Sequence, residues 1–183
     1  MGASKTAGKT AQKNGKANAP KGEGEVFENS VEMEKKARTE SIRVLNQLLA
    51  DMFDTMSQTK QAHWNVKGPH FIGLHKLFDE FAEGLEGYID EVAERVTALG
   101  GYAMGTARMA AKSSRIEEYS TDVILDLDHV RALSARYAVL ANYTREAIDL
   151  CDEAGDADTA DLLTDASRDL DKWLWFLEAH LQA

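Results

Sequence analysis

The sequence contains one cysteine, Cys151, only two prolines and no long run of apolar residues. A single cysteine forms no intramolecular disulfide and cannot supply the several thiolates of a structural zinc site, so a reducing, cytoplasmic compartment is expected. Without a run of about 18 apolar residues, no membrane-spanning helix is predicted, and no short apolar segment near the N-terminus indicates a secretory signal. Both prolines, Pro20 and Pro69, precede residue 70. The proline-free remainder is typical of a helical bundle, because proline interrupts helices.

Positive charge is concentrated at the N-terminus, whereas the rest of the chain is acidic. Residues 1–22 hold five lysines and no acidic residue. Residues 23–183 hold 16 basic and 31 acidic side chains, a formal charge of −15, so the whole chain has a net charge of −10. The N-terminal stretch also lacks aromatic residues, Val, Ile and Leu, and such a composition cannot offset the entropy lost on ordering. We therefore predict a disordered lysine-rich arm over residues 1–25 and one folded domain over residues 26–183.

Apolar residues recur every three or four positions in four long segments, which predicts four helices. The expected ranges are 31–66, 71–99, 129–153 and 159–181, with glycine at or near the end of the first three. Short links join the first helix to the second and the third to the fourth. Residues 103–127 form a long crossover with room for one or two short helices. Short outer links and a long middle crossover predict an all-α, ferritin-like four-helix bundle.

Histidines and carboxylates cluster around the first helical hairpin and along one face of the second helix. Four of these side chains lie within a sector of about 100° on that helix: His75, Asp79, Asp90 and Glu94. When the chain reverses at the Gly-Pro turn, His63 falls opposite His75. One group of ligands therefore forms at the hairpin, and a pair of acids lies roughly 16 Å further along the helix axis.

A two-fold axis that set the second helix antiparallel to its mate would bring these two groups together from different subunits. Each subunit pair would then contain two identical sites of imidazole and carboxylate, a mixture that suits iron and also fits manganese or zinc. The alternative is a solvated helix face, because acids four residues apart are common on surface helices. A site inside one bundle is disfavoured, because conventional ferritin sites use a Glu-x-x-His pair and the sequence has none.

The sequence resembles the Dps family, the DNA-binding proteins from starved cells or mini-ferritins, over about residues 40–182. The segments that carry the resemblance are TKQAHWNVKGPHF, LHKLFDEF, YIDEVAERVTALGG, RYAVLANYTREAI and DTADLLTDASRDLDKWLWFLE. It implies a dodecameric shell that stores mineral in its hollow interior. It also implies oxidation of Fe(II), by hydrogen peroxide in preference to dioxygen, at sites shared between two-fold-related subunits. The family's ferroxidase ligand positions correspond to His63, His75, Asp79, Asp90 and Glu94, of which His63, Asp90 and Glu94 are assigned to catalysis.

Two further groups acquire expected roles near the site and at a pore. A tryptophan at the position of Trp64 lies beside the metal site in the family, with packing at the helix end as the alternative, and Lys60 is a candidate outer partner of the ligands. In a shell, acids around a three-fold axis would form a negative funnel that draws Fe(II) inward. The alternative for the first of these acids is favourable placement at a helix N-terminus. The candidate funnel residues are Asp158, Asp161 and Asp165.

The lysines of the arm are expected to bind double-stranded DNA through its phosphates without reading base sequence, and a merely solubilising arm is the alternative. They are Lys5, Lys9, Lys13, Lys16 and Lys21. The leading hypothesis is an iron-storing, homo-oligomeric ferroxidase that is cytoplasmic and nucleoid-associated and protects DNA from oxidative damage. The rival is a structural nucleoid-compacting protein whose metal site is vestigial or filled by zinc. The complete ligand set favours the enzyme.

Overall fold

Residues 26–182 are described by a computed structural model and form five helices without a β-strand. The helices are α1 (Lys35–Asn65), α2 (Phe71–Ala98), α3 (Ala107–Ser113), α4 (Asp126–Ala154) and α5 (Ala157–Ala179). Helix α1 packs on α2 and on α4, and α4 packs on α5, which is the predicted ferritin-like bundle. None of the described helices is both long and apolar enough to cross a membrane. The predicted arm and its five lysines lie outside the described residues.

The four long helices close around one continuous apolar core. Among the largest fully buried side chains are Phe78 and Phe81 of α2 and Tyr137 of α4. The Phe81 ring centroid lies 5.7 Å from that of Tyr137 and 5.6 Å from that of Trp173 on α5. Each large apolar side chain that is fully buried stabilises the fold by about 1.5–3 kcal/mol. These rings therefore join α2 to α4 and α5 in the core.

The turn between α1 and α2 is fixed to the start of α4 by the Asp126 carboxylate. This carboxylate accepts hydrogen bonds from the backbone N–H of His70 at 3.0 Å, from the His70 ring at 2.8 Å and from the Leu127 N–H at 2.9 Å. These contacts, the His70 backbone bond foremost, hold the pKa of Asp126 below its usual value. Gly68 has φ +129°, and a Cβ there would lie 2.8 Å from the carboxylate, so glycine is required by both backbone conformation and space.

The junction of α4 and α5 is capped by side chains and held by α2. Gly155, with φ +88°, ends α4 in the left-handed conformation that glycine tolerates best. Asp156 caps α5 by accepting the Thr159 N–H at 3.1 Å, so the helix begins at Ala157 rather than at the predicted residue 159. The Arg95 guanidinium of α2 donates to Asp156 at 2.8 Å and to the Thr159 hydroxyl at 2.9 Å.

The crossover contains one short helix, α3, and is anchored to α1 by a buried carboxylate. Asp51 accepts the backbone N–H of Arg115 at 2.8 Å and its guanidinium at 2.6 Å. The same guanidinium lies 3.6 Å over the ring of Tyr143 on α4. The segment before α1 is also fixed by a residue distant in sequence, since the Phe27 N–H donates to the Gly100 carbonyl oxygen at 2.7 Å. Helix α1 accordingly begins at Lys35, later than the predicted residue 31.

Candidate metal centre

Two imidazoles face each other across the α1–α2 hairpin. His63 lies in the last turn of α1 and His75 lies near the start of α2, and their rings stack with centroids 3.8 Å apart. Nδ1 of His63 is 2.7 Å from the His75 carbonyl oxygen, and Nδ1 of His75 is 2.8 Å from the His63 carbonyl oxygen. A carbonyl only accepts hydrogen bonds, so each Nδ1 carries the proton. In the neutral tautomer with the proton on Nδ1, Nε2 carries the lone pair that can bind a metal ion.

Asp79 lies one turn beyond His75 on α2 and completes what we call the hairpin group (His63, His75 and Asp79). Its Oδ1 is 3.8 Å from Nε2 of His63 and accepts a hydrogen bond from the Lys60 ammonium. The bond from Lys60, with the nearby imidazoles, holds the pKa of Asp79 below its usual value. Lys60 thus directly contacts a candidate ligand and favours the ionised form of this carboxylate. The Asp79 side chain remains 39% exposed, so a solute ion has access to it.

The acidic pair, Asp90 and Glu94, lies exposed further along the same helix. Eleven residues separate Asp79 from Asp90, which corresponds to roughly 16 Å at 1.5 Å per residue. Within residues 26–182 no three side chains of His, Cys, Asp or Glu converge closely enough to bind one metal ion. A single chain therefore offers an imidazole-rich group and an acidic pair that are too far apart to share an ion.

Trp64 follows His63 in sequence, but its side chain does not pack into the core of the bundle. Its side chain is 67% exposed, so the packing role considered for it at the helix end is not observed within the chain. Together with Gln58, Gln61 and Tyr119, it borders an open cavity of about 530 Å³. The indole is therefore available to a neighbouring molecule next to the hairpin group.

The three candidate funnel acids are exposed on α5. Asp158 lies in the first turn, where the helix dipole stabilises a negative charge. Its side chain is 89% exposed, and its carboxylate lies 3.9 Å from the Arg95 guanidinium. Asp161 follows three residues later. Asp165 pairs with Arg168 on the same helix, which offsets part of its charge.

Two interhelical contacts near the site were not predicted from sequence. The bond between His70 and Asp126 joins residues 56 apart, and nothing local in the sequence marks this pairing. The cap at Asp156 did have a signal, because an aspartate after glycine and three residues before Thr159 fits a helix N-cap. Its partner Arg95 had none, since that contact depends on how α2 and α5 meet.

Comparison with known proteins gives consistent matches over most of the chain. Residues 42–183 match the ferritin-like domain family. The DNA protection during starvation protein of Agrobacterium fabrum is 50% identical over 146 residues, which cover 80% of this chain and 90% of that protein. The Dps structure from Mycobacterium smegmatis superposes with a TM-score of 0.82 at 32% identity, covering 86% of this chain and 95% of that one.

A further solved structure from Vibrio cholerae O1 is described as a Dps protein and a member of a broad superfamily of ferritin-like diiron-carboxylate proteins. It superposes with a TM-score of 0.77 at 29% identity, and the match covers 85% of this chain and 100% of that chain. The likeness thus extends over the whole length of that relative.

Proposed function

The chain belongs to the ferritin-like family and, within it, to the Dps proteins, and from this premise we propose that it is an iron-storing ferroxidase. Its substrates are Fe(II) and hydrogen peroxide, with dioxygen as a second oxidant, and Fe(III) is deposited inside a dodecameric shell. The observation that carries the proposal is the division of one ligand set between the α1–α2 hairpin and a later stretch of α2. The hairpin group supplies two imidazoles and one carboxylate, and the acidic pair supplies two carboxylates. Within residues 26–182, neither place alone brings three ligand side chains close enough to bind one ion.

A second copy supplies the missing half. If a two-fold axis sets α2 antiparallel to its mate, the hairpin group of one subunit faces the acidic pair of the other, and symmetry creates two such sites per pair. His63 and His75 offer Nε2 lone pairs whose direction is fixed by the reciprocal backbone bonds, and such positioning of histidine ligands tunes a metal site. Nitrogen and carboxylate oxygen together suit iron among the first-row metals. The overall reaction consumes two Fe(II), one hydrogen peroxide and two protons, and yields two Fe(III) and two waters.

Iron reaches the interior through acidic funnels at three-fold axes in this proposal. The exposure of Asp158 and Asp161 on α5 supports it, because a lining of one charge sign raises the local concentration of Fe(II). Asp165 joins them, with its charge partly offset by Arg168. The Asp156–Arg95 contact holds the first turn of α5, and with it the start of the funnel, against α2.

The arm is the DNA-binding element of the proposal, and it associates the shell with the nucleoid. Residues 23–183 carry a formal charge of −15, whereas residues 1–22 carry five positive charges and no negative ones. An acidic body repels duplex DNA, so contact depends on the lysines. Binding through phosphates alone is independent of sequence and steeply salt-dependent, with a log–log slope of about −0.9 per phosphate neutralised. Several arms on one shell raise the effective concentration of binding sites.

The oxidation step is tested by removing the acidic pair. The double variant Asp90→Ala, Glu94→Ala is expected to lose rapid Fe(II) oxidation while keeping the assembled shell, because both side chains are exposed and contribute nothing to the core. His63→Ala should fail in the same way. Glu91→Ala is the matched control, an exposed acid on α2 that points about 100° away from Asp90. Stopped-flow absorbance after mixing with Fe(II) and peroxide measures the rate. Wild-type rates in the double variant would refute the assignment.

The DNA function is tested with shells lacking residues 1–22. They are expected to lose DNA binding and to keep Fe(II) oxidation. A chain of unchanged length in which the five lysines are replaced by glutamine separates charge from length and should behave like the truncation. Gel shifts at low and moderate salt provide the measurement. Equal retardation by full-length and truncated shells would show that the arm is not the DNA-binding element.

A further inference from the structure

Three aromatic rings from α4, α5 and α2 form a row through the bundle: Tyr137, Trp173 and Tyr88. At one end, the Tyr137 hydroxyl is 3.1 Å from the hydroxyl of Thr59, which lies one turn before His63 on α1. The Tyr137 and Trp173 ring centroids are 6.3 Å apart, and those of Trp173 and Tyr88 are also 6.3 Å apart. These separations are ordinary for packed aromatic side chains. They are also short enough for an electron to pass from ring to ring.

The two tyrosines in this row differ in what their hydroxyl groups contact. Tyr88 donates to the Asp169 carboxylate at 2.8 Å, and the Asp169 side chain is 42% exposed. Tyr137 is fully buried, and its partner Thr59 already donates its own proton to a backbone carbonyl. A tyrosine that loses an electron must release its phenolic proton, which requires a base within hydrogen-bond distance. Tyr88 has such a base in contact with water, whereas Tyr137 has only a hydroxyl.

We propose that Tyr88 is a one-electron donor that quenches radicals formed at the iron site, with Asp169 accepting the proton. The electron passes through the packed rings of Trp173 and Tyr137, and Tyr137 is not itself oxidised. The inference rests on the proposed function for the source of the oxidant. Aromatic packing explains why a ring occupies the Tyr88 position, but it does not explain the hydroxyl group, because phenylalanine would pack equally well there. The carboxylate partner on another helix is the additional feature that proton-coupled oxidation needs.

The chemistry balances with the substrates already proposed. When peroxide takes a single electron, Fe(II) and hydrogen peroxide give Fe(III), hydroxide and a hydroxyl radical. An electron from Tyr88 reduces the radical to hydroxide, and the phenolic proton moves to Asp169. A second Fe(II) then reduces the tyrosyl radical, and Asp169 returns the proton. The sum is two Fe(II) and one peroxide giving two Fe(III) and two hydroxides, which is the two-electron stoichiometry with both radicals consumed.

The test uses full-length assembled protein and an oxidant that does not depend on iron. Flash-generated tris(bipyridine)ruthenium(III) oxidises the wild type, and freeze-quench electron paramagnetic resonance detects the tyrosyl radical. Tyr88→Phe should lose most of this signal and Asp169→Asn should lower it. Tyr143→Phe is the matched control and should leave the signal unchanged, because its ring lies under Arg115 and outside the row. A full signal in Tyr88→Phe overturns the proposal, and an unchanged one in Asp169→Asn overturns the assigned proton acceptor.

A second experiment separates this inference from the ferroxidase proposal. With Fe(II) and peroxide, Tyr88→Phe should oxidise iron at the wild-type rate but release more spin-trapped hydroxyl radical. Equal trapping by both proteins contradicts the relay. If the wild type oxidises no iron but still forms the Tyr88 radical with ruthenium, the ferroxidase proposal fails and the electron donor remains.

Discussion

Mixing two inactive variants provides a quantitative test of whether the metal site is shared. His63→Ala removes a ligand from the hairpin group, and Glu94→Ala removes one from the acidic pair. In a mixed two-fold pair, one site combines the two damaged halves and the other combines the two intact halves. Homogeneous pairs contain no intact site. With random pairing at equal amounts, half of the pairs are mixed and each has one intact site of two, so about a quarter of wild-type activity is expected.

The matched control combines His63→Ala with His75→Ala. Both changes damage the hairpin group, so every site in a mixed pair receives a damaged half and no activity should return. The two mixtures contain equally mutated chains and differ only in which half of the site each variant lacks. Recovery in the first mixture alone is therefore the signature of a site divided between subunits.

The assay requires that subunits exchange or assemble together. Co-expression with two different affinity tags and sequential purification selects shells that contain both variants, and the ratio is measured by mass spectrometry. The initial rate of Fe(II) oxidation by peroxide is compared with that of wild-type shells at equal protein concentration. Absence of recovery in well-mixed shells would refute the antiparallel arrangement and favour sites within single subunits. Recovery in the control mixture would refute the grouping of His63 with His75.

Two further predictions concern charges on either side of the site. Lys60→Gln should bind Co(II), an oxidation-resistant probe, several-fold more tightly in calorimetric titration, because the ammonium no longer competes for Asp79, and unchanged or weaker binding would contradict this role. Asp156→Ala should lower the free energy of unfolding by about 1–2 kcal/mol through loss of the helix cap, and Asp156→Asn should lower it less. Burial raises the pKa of Asp156, but bonds from Thr159 and Arg95 lower it by more, so the folded pKa lies below the ordinary value. The stabilisation by the ionised Asp156 is therefore fully present above the unfolded pKa of about 3.9. It is lost as pH falls through the folded pKa. Denaturant unfolding at fixed protein concentration should therefore show the Asp156→Ala deficit shrinking below about pH 4, and a deficit independent of pH would contradict the ionic part.

The bundle was predictable because its signals are local. Periodic apolar residues, glycine stops and the lack of proline after Pro69 each act within a few residues, and they place four long helices and one crossover correctly. The helix starts were predicted less well. Helix α5 begins early through the Asp156 cap, and α1 begins late because Phe27 and its neighbours are held by the end of α2. Such contacts join distant parts of the chain, and a sequence pattern does not contain them.

The candidate site likewise has features that local sequence predicts and features that only the packing of the helices determines. The reversal of the chain between α1 and α2 follows from sequence, so the grouping of His63 with His75 is predictable from spacing. The reciprocal ring-to-carbonyl bonds are not, since they depend on side-chain rotamers and on the distance between two helix ends. The contact of Lys60 with Asp79 spans 19 residues, and only the packing of α1 on α2 reveals it. The sharing of the site between copies stays a prediction.

A site divided between copies makes the chemistry depend on assembly. An isolated chain holds Asp90 and Glu94 away from the hairpin group, so under the proposed arrangement it would lack a complete iron site and would produce no Fe(III) outside a shell. Conversely, an ion bound between two subunits stabilises their contact, because a ligand that binds only the assembled form shifts the equilibrium towards it by RT ln(1 + [L]/Kd). Fe(II) would then promote the assembly that consumes it.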